Sequence, residues 1–213
     1  MHLACPWYIH PAEDPFAWQR LRAGELPLAW AVTNVHNGPG PADDPYYPEA
    51  LRPGCATTLV GYVTVGYGQR TLPDVLAEVI TWRDRYGITD IMLDEVPHEA
   101  RQANWQVSNI DAMRSAGVDR VFTNPGTVPC LDLLFASDAV CVAEQSWETY
   151  RDSPPPQWLA ERFAGRTWHL VHSVPADELD QVTALAEQRG AGFLWATDAT
   201  LPNPWGRLPH GLG

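Results

Sequence analysis

The sequence predicts a single (β/α)8 barrel spanning residues 1–213. Three observations lead there. Eight short apolar runs recur along the chain with turn residues between them. Helical patterns fill most of the gaps between the runs. The length, 213 residues, sits at the lower limit for eight strand–helix units, which is about 200 residues. The competing fold, an open doubly wound sheet, calls for a glycine-rich phosphate loop after an early strand, and the sequence has none.

The predicted strands are residues 6–9, 28–33, 57–65, 88–93, 120–123, 139–143, 167–172 and 192–197. The clearest predicted helix, 72–86, places Leu72, Val75, Leu76, Val79, Ile80 and Trp82 on one helical face. Thr71 is its expected N-cap, with Pro73 and Asp74 in the first turn. Residues 100–116 read as a helix closed by Gly117, and 178–189 as one closed by Gly190. A shorter helix is expected at 158–163. Between strands five and six only residues 129–138 can hold one.

Composition narrows the function. Acidic residues number 26 against 14 basic ones, all arginine, for a formal net charge of −12. Affinity for phosphate needs a positive field, so nucleic acid and anionic membranes are poor partners. No apolar run approaches the roughly 18 residues of a membrane span. The start, Met1 to Pro6, lacks a charged segment followed by an apolar stretch, so the chain is expected in the cytoplasm, or exported if a leader precedes it. Cys5, Cys55, Cys130 and Cys141 fit no zinc spacing, and free thiols are expected, with a Cys5–Cys55 disulfide as the alternative. No metal or cofactor is expected. Ten tryptophans suit a large aromatic core or a ligand-stacking surface.

Parallel barrels carry their chemistry at the C-terminal ends of the strands. In chain order those ends hold Tyr8 and His10, Asn34, Tyr67 and Arg70, Asp94 and Glu95, Asn124, Glu144, His172 and Ser173, and Asp198. The carboxylates after strands four and six are the most informative of these. A carboxylate beside an apolar run is costly unless it is paired or used. Two of them across a cleft are what glycosidic cleavage needs: one protonated acid for the leaving oxygen, and one nucleophile or base. Alternation places Asp94 with Met92 and Asp90, which favours Asp94 over Glu95 as the side chain entering the mouth. Trp147 and Trp205, after strands six and eight, are candidates to stack on a sugar ring.

These stretches resemble a known family. Tyr8-Ile9-His10-Pro11, Asn34 with Gly38-Pro39-Gly40, Gly61-Tyr62-Val63-Thr64 with Tyr67-Gly68-Gln69-Arg70, Leu93-Asp94-Glu95, Asn124-Pro125-Gly126-Thr127, Glu144, Thr197-Asp198, Asn203-Pro204-Trp205 and Leu208-Pro209 run in the order seen in the spherulin-4 family, whose characterised members are glycoside hydrolase family 135. The resemblance covers nearly the whole chain. It implies a (β/α)8 barrel that cleaves polysaccharide containing N-acetylgalactosamine or galactosamine, with acidic site residues at Asp94, Glu95 and Glu144. The family's Asn-Pro after strand two is replaced here by Asn34-Val35.

The expected mechanism makes Asp94 the nucleophile, or the group orienting a substrate acetamide. Glu144 is the expected general acid and base, and Glu95 the charged neighbour that keeps one proton in the site. Tyr8, His10, Asn34, Tyr67, Arg70, Asn124, Trp147, Asp198 and Trp205 are the expected substrate-binding residues. Two further readings share the barrel: a non-catalytic glycan-binding module, and an intracellular enzyme on a small sugar or natural product.

Overall fold

The computed structural model describes residues 1–212. Eight parallel strands close a barrel in chain order. They are β1 (His2–Trp7), β2 (Leu28–Thr33), β3 (Thr58–Thr64), β4 (Asp90–Asp94), β5 (Arg120–Asn124), β6 (Ala139–Ser146), β7 (Thr167–His172) and β8 (Phe193–Ala196). Around them lie α1 (Pro15–Ala23), α2 (Tyr47–Ala50), α3 (Leu72–Tyr86), α4 (Ala103–Ser115), α5 (Leu131–Ala136), α6 (Trp147–Asp152), α7 (Gln157–Phe163) and α8 (Leu179–Gln188).

Local chemistry sets the helix ends. Thr71 caps α3 by accepting from the Asp74 N–H, and Gly87, at φ 70°, ends it with its N–H on Arg83 O. The same signals bound α1. Asp14 accepts from the Ala17 N–H, Pro15 opens the first turn, and Gly24 closes at φ 71°. Ser146 likewise caps α6. The helix expected over 100–116 begins instead as a 3-10 turn, Ala100–Gln102, before α4. β1 starts four residues earlier than its apolar run, because pairing with β2 on one side and β8 on the other recruits His2 to Cys5.

Alternation along the strands separates two aromatic layers. Inside, Trp30, Phe122, Trp168 and Phe193 meet, with Trp30 ring centroids 4.5–5.4 Å from the other three. Trp168 Nε1 donates to Ala4 O at 2.9 Å, tying β7 to β1 across the barrel floor. Outside, Trp7 packs edge-on to Trp18 of α1, and Trp82 of α3 donates to Tyr62 O at 2.8 Å. Gly61 is required there, since a Cβ would lie 2.7 Å from the Trp82 ring. Trp7, Trp18, Trp30, Trp82, Trp147, Trp168, Trp195 and Trp205 are all at most 5% exposed, so tryptophan builds the core. Each buried aromatic contributes about 1.5–3 kcal/mol of apolar transfer. All four cysteines are free thiols, with Cys5 and Cys141 buried. Among the described residues no helix is long and apolar enough to cross a membrane.

Candidate active site

The floor parity, carried upward two residues at a time, delivers the site. Tyr62 and Thr64 end the inward row of β3, Met92 and Asp94 that of β4, and Phe122 and Asn124 that of β5. Register sets Asp94 beside Thr64 on one side and Asn124 on the other. The Tyr62 hydroxyl donates to Asp94 Oδ2 at 2.8 Å. Asn124 donates from Nδ2 to Glu144 Oε2 at 2.7 Å, while its Oδ1 accepts from the Gly126 N–H at 2.9 Å. That second bond fixes the amide's orientation and aims its donor at Glu144. Trp205 Nε1 reaches the other Glu144 oxygen at 3.3 Å. Asp94 and Glu144 therefore flank Asn124 from alternate strands.

Burial, opposed by the Tyr62 hydroxyl and reinforced by the charge of Glu144, pushes Asp94 up from the usual carboxylate range to about 6. Tyr8, edge-on to Tyr62 at 6.0 Å, has its phenol pushed well up by burial and by the nearby charges of Asp94 and Glu144. His172 ends β7, edge-on to Trp205 at 6.3 Å. Burial lowers its pKa, against a smaller upward pull from Glu144.

Glu95 leaves the alternation. Its φ is 55°, and its carboxylate turns back to accept from Thr64 Oγ1 at 2.6 Å. Its carbonyl accepts from the Tyr67 N–H, and Tyr67 itself stands at φ 52° with its ring 62% exposed on the rim. Left-handed backbone at non-glycine residues costs about 1–2 kcal/mol each and gathers where function over-determines geometry. Tyr67, Glu95 and Ser173, all in this region, follow β3, β4 and β7.

Of the residues expected from sequence, the structure gathers Asp94, Glu95, Glu144, Asn124, Tyr8 and Tyr67. Five others are buried or engaged by neighbouring residues. Trp147 is 3% exposed and bonds Glu178 at 2.6 Å beneath α8, so it offers no stacking face. Trp205 is likewise buried and serves as a donor to Glu144 rather than as a platform. Arg70 turns onto Glu78 of α3 at 2.6 Å and onto Thr64 O. Asp198 is occupied by Arg207 and by the His210 N–H, which together hold it below the usual range. His10 accepts from the Ala12 N–H and packs against Tyr46 and Tyr47. Asn34 stays at the mouth, where its Oδ1 shapes the loop by accepting from the Gly38 N–H. Tyr62 and Thr64, which hold the two acids, were not selected from sequence, although their parity with Asp94 marks them.

A 660 Å³ cleft along α1 and α2, lined by Trp18, Tyr46 and Arg52 among others, contains none of the three carboxylates. The chemistry of the side chains, not volume, marks the site. Among the described residues no group of three or more His, Cys, Asp or Glu side chains can hold a metal ion.

Fold and site together define a (β/α)8 barrel with an acidic, tyrosine-lined mouth. The sequence pattern of spherulation-specific family 4 matches residues 2–212, and the chain belongs to that family. Spherulin-4 of Physarum polycephalum is 26% identical over 159 residues, which is 71% of this chain and 47% of that protein, so the chain spans about half the length of this relative. The crystal structure of Aspergillus clavatus Sph3 in complex with GalNAc superposes with a TM-score of 0.81 at 22% identity, covering 98% of this chain and 93% of that one. A chitinase from Chromobacterium violaceum shares the fold more distantly, with a TM-score of 0.52 at 13% identity over 88% and 77% of the two chains.

Proposed function

We propose that the protein is a glycoside hydrolase acting on glycans that contain N-acetylgalactosamine or galactosamine. The observation that carries this reading is the Asp94–Asn124–Glu144 row, in which one half-buried carboxyl is raised to about 6 beside a second, donor-held one. The GalNAc held by Sph3, on the same barrel, supports the substrate class.

The raised value supports roles opposite to those expected from sequence. Asp94 holds the proton and passes it to the glycosidic oxygen as the bond from that oxygen to the anomeric carbon breaks. Glu144 faces the positive charge that grows on the anomeric carbon, as nucleophile or as base for water. Water supplies the new hydroxyl; its proton returns to Asp94 where Glu144 is the nucleophile, and passes to Glu144, with exchange through solvent restoring both groups, where Glu144 is the base. Tyr62 positions Asp94, Asn124 and Trp205 position Glu144, and the charge of Glu95 opposes ionisation of Asp94.

The test is a screen of aryl glycosides and amino-sugar oligomers, with product mass measured across pH. Cleavage of N-acetylgalactosamine or galactosamine linkages, with kcat/KM falling above about pH 6, is the expected result. Calorimetric binding of these oligomers with no chain ends released would replace hydrolysis with a glycan-binding role. Activity that rises through pH 6 would return Asp94 to the nucleophile's part.

A further inference from the structure

One polar side chain at the mouth has no part in the arrangement above. His172 is the last residue of β7, two positions beyond the inward-facing Leu170 and four beyond Trp168 of the floor, so its ring belongs to the same inward row as the site. It pairs in register with Ser146 of β6, two residues past Glu144. Its ring stands edge-on to Trp205, the indole that donates to Glu144. The imidazole is thus one neighbour removed from the reacting carboxylate.

Its two nitrogens differ. Nδ1 is engaged by Ser173 Oγ at 2.9 Å. Nε2 has no hydrogen-bond partner among the described residues, and it is not a sealed orphan, because the residue is only half-buried. His169, three residues earlier on the opposite face of β7, makes the contrast. It is fully buried, with Nδ1 bonded to Tyr150 of α6 and Nε2 sealed away from solvent. The Ser173 that orients His172 sits at φ 59°, with its N–H held by Ala199 O at 2.9 Å. Strained backbone at Ser173 thus places the hydroxyl that holds one ring nitrogen and leaves the other without a partner.

We propose that His172 is a substrate-contacting, specificity-determining residue whose Nε2 binds a hydroxyl or N-acetyl group of the sugar seated beside Glu144, with Ser173 as its positioning residue. The proposal rests on the glycosidase reading and deepens it. A neutral imidazole suits this place, because it bonds uncharged sugar groups without neutralising Glu144.

The experiment measures kcat and KM of the wild-type protein, His172→Ala, His172→Gln and Ser173→Ala on an N-acetylgalactosamine oligosaccharide, with thermal melts as the folding control. GalNAc binding by calorimetry runs alongside. The expected result is a rise of about tenfold or more in KM, with a matching loss of GalNAc affinity, for His172→Ala, while kcat falls less than threefold. His172→Gln, whose amide reaches the Nε2 position, recovers most of the loss, and Ser173→Ala lies between. An unchanged KM and GalNAc affinity in His172→Ala, with the wild type active, overturns the proposal and leaves the glycosidase reading standing. A loss confined to kcat also overturns it, since that would make His172 a support for Glu144 and not a contact. A wild type that neither binds nor cleaves the oligosaccharide overturns both.

Discussion

Asp94 shows how one side chain couples stability to chemistry. Its carboxyl is raised from an ordinary 3.8 to about 6. Between those values the folded protein carries a proton that the unfolded chain has lost, so this group makes stability fall as pH rises from about 4 to about 6. Above pH 6 the folded state keeps a half-buried charge. Asp94→Asn removes that charge while retaining an acceptor for Tyr62. It is expected to raise stability above pH 6 by an amount on the order of 2 kcal/mol and to change little near pH 4. Melting curves at the two pH values check this, and equal effects at both would show that the charge is not the cause. The sequence could mark Asp94 as a strand-end carboxylate, but its raised pKa depends on Tyr62, Glu144 and burial, which alternate strands bring together. Trp205 was legible only as an aromatic near a strand end. Whether an indole stacks on a sugar or donates to a carboxylate depends on burial, which its local sequence does not carry.

At the level of elements, periodicity was the reliable guide. α3 and β7 occupy the residues their patterns predict, because an apolar stripe with a Thr71 cap and a short run bounded by Gly165 and Pro175 leave little competition. β1 was less legible, since His2 to Cys5 are extended by neighbours on both sides and not by their own propensity. Glu95 escaped alternation because its positive φ breaks the period just where the strand ends. The contact of β3 with α3 gives an element-scale prediction. Gly61→Ala puts a methyl 2.7 Å from the Trp82 ring, which is itself anchored to Tyr62 O. Overpacking of this kind costs about 1–3 kcal/mol. Denaturant unfolding is expected to show that loss, and a variant as stable as the wild type would mean that α3 shifts freely on the barrel.

For the whole molecule, the barrel was legible from the count of runs and the length, yet its weak seams were not. β1 meets β8 through His2↔Phe193 and Leu3↔Leu194, and β5 meets β6 through Phe122↔Ala139 and Thr123↔Val140. The other joins have longer registers, so hydrogen exchange is expected to open these two seams before β3–β4. Fastest exchange in β3 and β4 would contradict that order. The second seam lies beside Asn124 and Glu144, so the site combines a firm β4 side with a looser β6 side. Turnover of an N-acetylgalactosamine oligosaccharide by wild-type, Asp94→Asn and Glu144→Gln proteins tests the central claim most directly. The account predicts cleavage by the wild type and a loss of at least about a thousandfold in each variant, with both still folded. Undiminished turnover in either variant would contradict it.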